Sequence, residues 1–229
     1  MSQVPPDPDV DVTRAPAPSV SALDVRNRQI AAVHQVTQVL FTKPALDARI
    51  RDALRLAMAA VGAKAGSIYL HRDADDALVF EYVVGPPNSA ALLGRSMPSH
   101  DGIAGKVFQS GLTVIENDAR QCTQHRSDNG EAVGFETLNM VTAALKTLNG
   151  NPVGVIQVLN KQSGDFDDDD VEVLEIVAAF AAAAIENAKL EKEAQVAAVA
   201  RAVGDLSHDI KNKVAPISMV ADFLRTDLD

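Results

Sequence analysis

One histidine, His208, is predicted to lie on the solvent side of a long helix. Residues 171–228 contain one glycine and one proline and are otherwise rich in helix formers, well beyond the length of an ordinary globular helix. At about 100° per residue, His208 points away from the apolar stripe of this helix, where a neutral imidazole nitrogen is an accessible nucleophile at neutral pH. The stripe recurs every three or four residues, at Val196, Val199, Val203, Leu206, Ile210, Val214, Ile217, Val220 or Ala221, and Leu224. Such a stripe favours pairing with the same helix of a second chain and predicts a signalling rod.

Four consecutive aspartates at residues 167–170 and one cysteine, Cys122, are the other candidates for chemistry. Aspartates suit the start of a helix because they interact favourably with its dipole. No second cluster of ligands accompanies them, so a solvated helix start is favoured over a metal site. The single cysteine excludes a disulfide within the chain and is typical of a reducing compartment.

The composition limits the class of protein. A formal charge of −10 without a basic stripe argues against nucleic acid as a partner. Hydrophobic residues make up 47% of the chain and aromatic residues only 4%, so a core of Ala, Val, Leu and Ile is expected. No apolar run reaches the roughly 18 residues of a membrane span, and no signal peptide opens the chain. We therefore expect a cytoplasmic protein without a membrane partner.

The rest of the chain shows patterns of both helix and strand. Residues 1–20 are rich in Pro and Asp and are predicted to be a disordered tail. Helices are predicted at 21–43, 46–61 and 102–108, strands at 67–71, 78–84, 113–115, 140–146 and 153–159, and an irregular loop at 117–134. Asn-Gly at 149–150 is a strong hairpin signal. This order predicts an α+β fold with one antiparallel sheet, helices on one face and loops on the other.

Several segments in combination resemble the GAF domain. They are GIAGKVFQSG at 102–111, VIENDAR at 114–120, GFETLNMVTAALKTLNGNPVGVIQVLNK at 134–161, and the segment at 160–190. The resemblance implies a GAF sensor domain over residues 45–188 with a loop-lined pocket for an unknown small molecule. By this resemblance the candidate ligand contacts are Asn117, Asp118, Arg126, Thr137, Asn139 and Gln157. The simpler alternative for each is that it caps a turn or faces water.

Asn160, Lys161, Phe166 and Asp170 match most of the NKFDE pattern of cyclic-nucleotide-binding GAF domains. Val171 stands where that pattern has Glu. In the family the Lys–Asp pair is mainly a structural lock between strand and helix, and that interpretation is favoured over a marker of cyclic-nucleotide binding.

Other chemistries of the family fit less well. Attachment of a linear tetrapyrrole requires a well-placed Cys, often followed by His, whereas Cys122 precedes Thr in the polar loop. Reduction of methionine sulfoxide in this fold uses several cysteines. Haem binding requires a histidine positioned to ligate the iron, and His71, His100 and His125 are candidates only in principle. We expect no cofactor in this chain.

The segment LSHDIKNKVAPISMVADFL at 206–224 resembles the H-box of histidine kinases. The resemblance implies that His208 accepts the γ-phosphate of ATP, that Asp209 orients or deprotonates its ring, and that Asn212 helps position water for dephosphorylation. Pro216 matches one of two prolines of the box, and Lys213 stands where the other would be. Residues 171–205 would then be a signalling helix and 206–229 a partial phosphoacceptor helix of the HisKA dimerisation type. No ATP-binding domain is present, so ATP and Mg²⁺ would act only through a missing kinase domain, and this chain alone should be inactive.

Two hypotheses follow. The favoured one is the sensory part of a two-component histidine kinase, forming a homodimer through its N- and C-terminal helices and acting on a response regulator. The alternative is a non-catalytic GAF module that binds a small molecule, such as a cyclic nucleotide, and uses its helices only for oligomerisation.

Overall fold

The computed structural model describes residues 46–122 and 133–226, together with residues 27, 30, 31, 34, 35, 38 and 130. Side chains of the long C-terminal helix are described as far as His208. The isolated residues 27–38 just named are helical. The predicted tail at 1–20, most of the predicted helix at 21–43, and Arg126 lie outside the described residues.

The described chain forms one six-stranded antiparallel sheet in the order β3-β2-β1-β6-β5-β4. Its strands are β1 (Ala63–Arg72), β2 (Ala77–Val84), β3 (Ser96–Pro98), β4 (Val114–Glu116), β5 (Met140–Lys146) and β6 (Pro152–Lys161). The β5–β6 hairpin turns at Gly150, whose φ of 81° suits the predicted Asn-Gly turn. The α+β class and the antiparallel sheet predicted from the sequence are confirmed.

Two helices cover one face of this sheet, α1 (Leu46–Val61) and the first part of α3 (Asp168–Thr226). The apolar face of α1 is buried because Ile50, Leu54 and other residues at helical spacing point at the strands. Small residues allow α3 a close approach: Ala178, Ala181 and Ala182 are almost fully buried against the same core. The alanine-rich segment at residues 177–185 thus lies in close contact with the core of the domain.

The opposite face carries a second core cluster and shorter elements. These are a 3₁₀ helix (Pro87–Leu92) and helix α2 (Gly102–Ser110), with β3 at the adjacent edge of the sheet. Helix α2 was predicted from the sequence, whereas the 3₁₀ helix and β3 were not. The prediction of helices on one face holds for α1 and α3, whereas α2 lies on the loop face. Gly105 lets α2 approach its preceding turn, since a Cβ there would lie 2.4 Å from the carbonyl carbon of His100.

Helix α3 continues for 59 residues, a length of about 90 Å. It begins at Asp168, three residues before the predicted Val171, and runs through Gly204 without interruption. Within the described residues, no helix is both long enough and apolar enough to cross a lipid bilayer.

Candidate functional site

A partly open cavity lies between the sheet and the loop face, with a volume of about 70 Å³. The floor is formed by β1, β2 and β6, and one wall by the first turn of α2. Most of its lining is apolar or backbone: Ala65, Gly66, Phe80, Val83, Val84, Pro86, Leu92, Met97, Gly102, Ile103, Ala104, Gly130, Val133, Phe135 and Leu159. The polar lining residues are Ser67, Tyr69, Ser89, Thr137 and Gln157. An apolar cavity with a few polar groups is the usual form of a small-molecule site.

Gln157 is the centre of the polar floor and is 8% exposed. Its side-chain Nε2 donates to Thr142 Oγ1 at 2.9 Å and to Met140 Sδ at 3.1 Å. Its Oε1 accepts from the Tyr69 hydroxyl at 3.3 Å. Strand pairing positions this group, because Gln157 lies opposite Ser67 on β1 and Thr142 on β5.

Ser67 completes this floor and is 3% exposed. Within the described residues its hydroxyl has no partner at normal hydrogen-bond geometry. Burial raises the pKa of the neighbouring Tyr69 phenol, and the Ser67 hydroxyl opposes that shift only in part, so the phenol stays protonated at neutral pH. An unpartnered buried hydroxyl is costly unless something else satisfies it.

The structure separates the predicted ligand contacts into two groups. Thr137 and Gln157 line the cavity. Asn117 and Asn139 do not line it. Asn117 exchanges two 3.0 Å hydrogen bonds with the backbone of Phe166, and Asn139 accepts from the Lys161 backbone N–H at 2.9 Å. Both amides thus bind backbone groups outside the described lining of the cavity, and their predicted role as ligand contacts stays a prediction.

Asp118 and Arg126 contribute nothing to the described lining of the cavity. The Asp118 side chain is exposed on the loop after β4 and is absent from that lining. Arg126 lies outside the described residues, so its predicted role stays a prediction.

Sequence reasoning missed Ser67 and Tyr69 as pocket residues. Alternation along β1 places both on the face of Gln157, while Ile68 between them points into the opposite core. That alternation was a usable signal, but which face carries the pocket is fixed only by where α2 packs.

The predicted lock joins the end of β6 to the start of α3. Asn160 has a left-handed backbone with φ of 58°, and its buried side chain accepts from Leu138 N at 2.7 Å and donates to the Glu136 carbonyl at 2.7 Å. Lys161 Nζ pairs with Asp170, which is 6% exposed. The Lys161 ammonium also lies 5.7 Å from the centre of the Phe166 ring. These contacts tie the strand to the helix.

Asp167 and Asp170 cap the N-terminus of α3 reciprocally. The Asp170 N–H donates to Asp167 Oδ1 at 3.1 Å, and the Asp167 N–H donates to Asp170 Oδ2 at 3.0 Å. This is the geometry of a capping box. Burial raises the pKa of the Asp170 carboxyl, although Lys161 and the Asp167 N–H oppose the shift. Within the described part of the chain, no group of His, Cys, Asp or Glu has the geometry of a metal site.

The phosphoacceptor candidate lies far along α3. His208 is exposed, and the preceding Ser207 hydroxyl bonds back to the Val203 carbonyl at 2.9 Å. Asp209 and Asn212 are helical, but their side chains lie outside the described residues. The orienting roles of Asp209 and Asn212 therefore stay predictions.

His71 and Cys122, which were considered as cofactor ligands, contact neighbouring side chains of the domain. His71 has Asp73 and Asp76 oxygens at 3.1 and 2.9 Å from its two ring nitrogens and stacks on Phe108. Cys122 is half-buried against the core on the cavity side.

A small cavity on one face of an antiparallel sheet, with a long helix fixed to the other face, defines a sensory domain of signal-transduction proteins. The GAF domain model matches residues 45–186, and the chain belongs to the GAF-domain family. The predicted GAF fold agrees with this match.

Two curated relatives match part of the chain. The dual 3',5'-cyclic-AMP and -GMP phosphodiesterase 11A of Takifugu rubripes is 32% identical over 96 residues, which is 41% of this chain and 11% of the relative. The dual phosphodiesterase 11 of Drosophila melanogaster is 31% identical over 96 residues, 42% of this chain and 7% of the relative. The chain thus spans about a tenth or less of the length of these relatives.

The chain is also similar to solved structures. The GAF domain of a phosphoenolpyruvate-protein phosphotransferase from Coxiella burnetii superposes with a TM-score of 0.66 at 17% identity, over 73% of this chain and 98% of that one. Free methionine-R-sulfoxide reductase from Neisseria meningitidis gives a TM-score of 0.60 at 19% identity, over 76% and 96%. At these identities the likeness concerns the fold alone.

Proposed function

We propose that this chain is the sensory and regulatory part of a cytoplasmic two-component histidine kinase. A small molecule or a redox change in the GAF domain would be relayed through a paired helix to the phosphoacceptor His208. The single observation that carries the proposal is the unbroken helix α3, which begins inside the sensory domain and continues to His208.

A continuous set of contacts supports this relay. Thr137 and Leu159 line the cavity, and Asn160 clamps the backbone on both sides of Thr137 through Glu136 and Leu138. The next residue, Lys161, pairs with Asp170 in the capping box of α3. A ligand that moves this cavity wall would therefore act on the first turn of the helix. Two packings of the helix pair would form the bistable element that such a signal requires.

The surface of α3 supports self-association. Between Lys189 and His208 every described side chain is exposed. Val196, Val199, Val203 and Leu206 are 58–61% exposed and fall at a/d spacing. The proposed occupant of this stripe is the same helix of a second chain, and a response regulator would receive the phosphoryl group from His208.

The test is phosphotransfer by a histidine-kinase catalytic domain supplied in trans with labelled ATP. We expect label on the wild-type chain and none on His208→Ala, because only an accessible imidazole can take the phosphoryl group. His34→Ala is the matched control, since His34 is also helical and exposed; it should be labelled like wild type. Equal labelling of His208→Ala and wild type would refute the proposal.

A non-catalytic module is the second candidate, favoured by the phosphodiesterase relatives, whose names specify cyclic AMP and cyclic GMP. In that case the cavity would bind a cyclic nucleotide and α3 would serve only oligomerisation. Specific, saturable binding of either nucleotide, without phosphotransfer to His208, would favour this candidate.

A further inference from the structure

The described lining of the cavity contains no charged side chain. Among these residues an anionic ligand would lose part of its hydration without gaining a cationic partner, which is costly at an apolar site. The first turn of α2 faces the cavity through Gly102, Ile103 and Ala104, but the residue before it is the acidic Asp101. These electrostatics favour a neutral ligand.

The floor of the cavity also has few hydrogen-bonding groups left for a ligand. Both Nε2 hydrogens of Gln157 are used by Thr142 and Met140, and Oε1 accepts one hydrogen from Tyr69. A carbonyl oxygen has two lone pairs, so Gln157 Oε1 can accept one more hydrogen bond. The Ser67 hydroxyl lies beside the Tyr69 phenol but has no partner at normal hydrogen-bond geometry among the described residues. The floor thus offers one donor and one acceptor, which an amide or a hydroxyl group on a ligand would satisfy together.

The size of the cavity favours a small ligand. Its 70 Å³ is about half of the roughly 150 Å³ of an engineered apolar cavity that admits benzene. Drug-sized ligands occupy sites of about 300–1,000 Å³. A ligand of about the size of a single small ring is therefore expected, with modest adjustment of lining side chains such as Met97 and Leu92.

We propose that this cavity binds a compact, neutral small molecule with one amide or hydroxyl group, which contacts Ser67 and Gln157 and places its apolar body against Phe80 and Phe135. This inference rests on the proposed sensory function and specifies its ligand class. It assigns Ser67 as a ligand donor, which neither the family resemblance nor the relatives suggest.

Two shape-matched pairs of probes test the charge requirement, acetamide against acetate and benzamide against benzoate. Binding is followed by amide chemical shifts in ¹H–¹⁵N NMR titrations, with cyclic AMP and cyclic GMP titrated in parallel. We expect the neutral member of at least one pair to shift resonances around the cavity and to bind at least about tenfold more tightly than its carboxylate, a difference of about 1.4 kcal/mol. Binding of a carboxylate or a cyclic nucleotide as tightly as the amides, or no response to either amide, would overturn the proposal.

Ser67→Ala tests the assigned donor. Loss of one hydrogen bond should weaken binding of the amide by about threefold to tenfold. Ser96→Ala on β3 is the control, since Ser96 is exposed and lies outside the lining; it should bind like wild type. Unchanged amide binding by Ser67→Ala would refute the contact. Failure of His208 labelling would leave these titrations unaffected, whereas nucleotide binding would overturn the ligand class and leave the sensory role intact.

Discussion

The two halves of α3 are built from similar residues but have opposite surroundings. In the first half, Leu174 and Ala181 are fully buried against α1 and the sheet. In the second half, Val199 and Leu206 are 59% and 61% exposed. Local helix propensity does not account for the difference, because Ala, Val and Leu recur in both. The comparison teaches that the first half is held by its own domain, whereas none of the described residues covers the stripe of the second half.

The largest effect should come from matched leucine truncations in the two halves. Leu174→Ala should lower the free energy of unfolding by about 2–5 kcal/mol, because it leaves a cavity in the core. Leu206→Ala should change the stability of the isolated chain by no more than about 0.5 kcal/mol. Urea denaturation at low protein concentration measures both.

The same pair distinguishes the roles of the two halves in association. Leu206→Ala should weaken self-association in sedimentation velocity. Equal losses of unfolding free energy in the two variants, or a wild-type chain that stays monomeric at micromolar concentration, would contradict the distinction between the halves.

A smaller loss of unfolding free energy is expected where the loop after β4 contacts the residues that precede α3. Asn117→Ala removes both hydrogen bonds to the Phe166 backbone and should cost about 1–2 kcal/mol of unfolding free energy. The adjacent Asp118→Ala is the control and should stay within about 0.5 kcal/mol of wild type. Thermal unfolding of the two variants tests whether Asn117 anchors the helix. An unchanged Asn117→Ala would show that it does not.

The smallest effect concerns the pH dependence of the helix anchor. Because burial raises the pKa of Asp170 in the folded chain, the folded state holds this proton more tightly than the unfolded state. Its contribution to the unfolding free energy is therefore fully present below the ordinary carboxyl pKa of about 4 and is lost as pH rises through the raised value. Asp170→Asn cannot titrate and should lack this decrease. Urea denaturation of both proteins across acidic pH measures the difference, and parallel curves would contradict the assignment.

Much of the fold was predictable because its signals are local. The α1 helix and strand β5 have the predicted bounds, and the hairpin at Gly150 follows from its turn residues. The 3₁₀ helix and β3 were missed because they are short, and β3 exists only through pairing with β2. The site was predicted in part: Thr137 and Gln157 line the cavity, while Asn117 and Asn139 are taken up by backbone groups distant in sequence.

The sequence by itself determined the class of fold, the family, and the continuity of α3, since periodicity and turn chemistry act over a few residues. Only the tertiary structure determined which polar side chains lie together at the floor of the cavity. Ser67, Thr142 and Gln157 are far apart in the chain and come together only through strand register. It also decided which half of α3 is buried, because an apolar stripe specifies that it needs a partner but not where that partner lies.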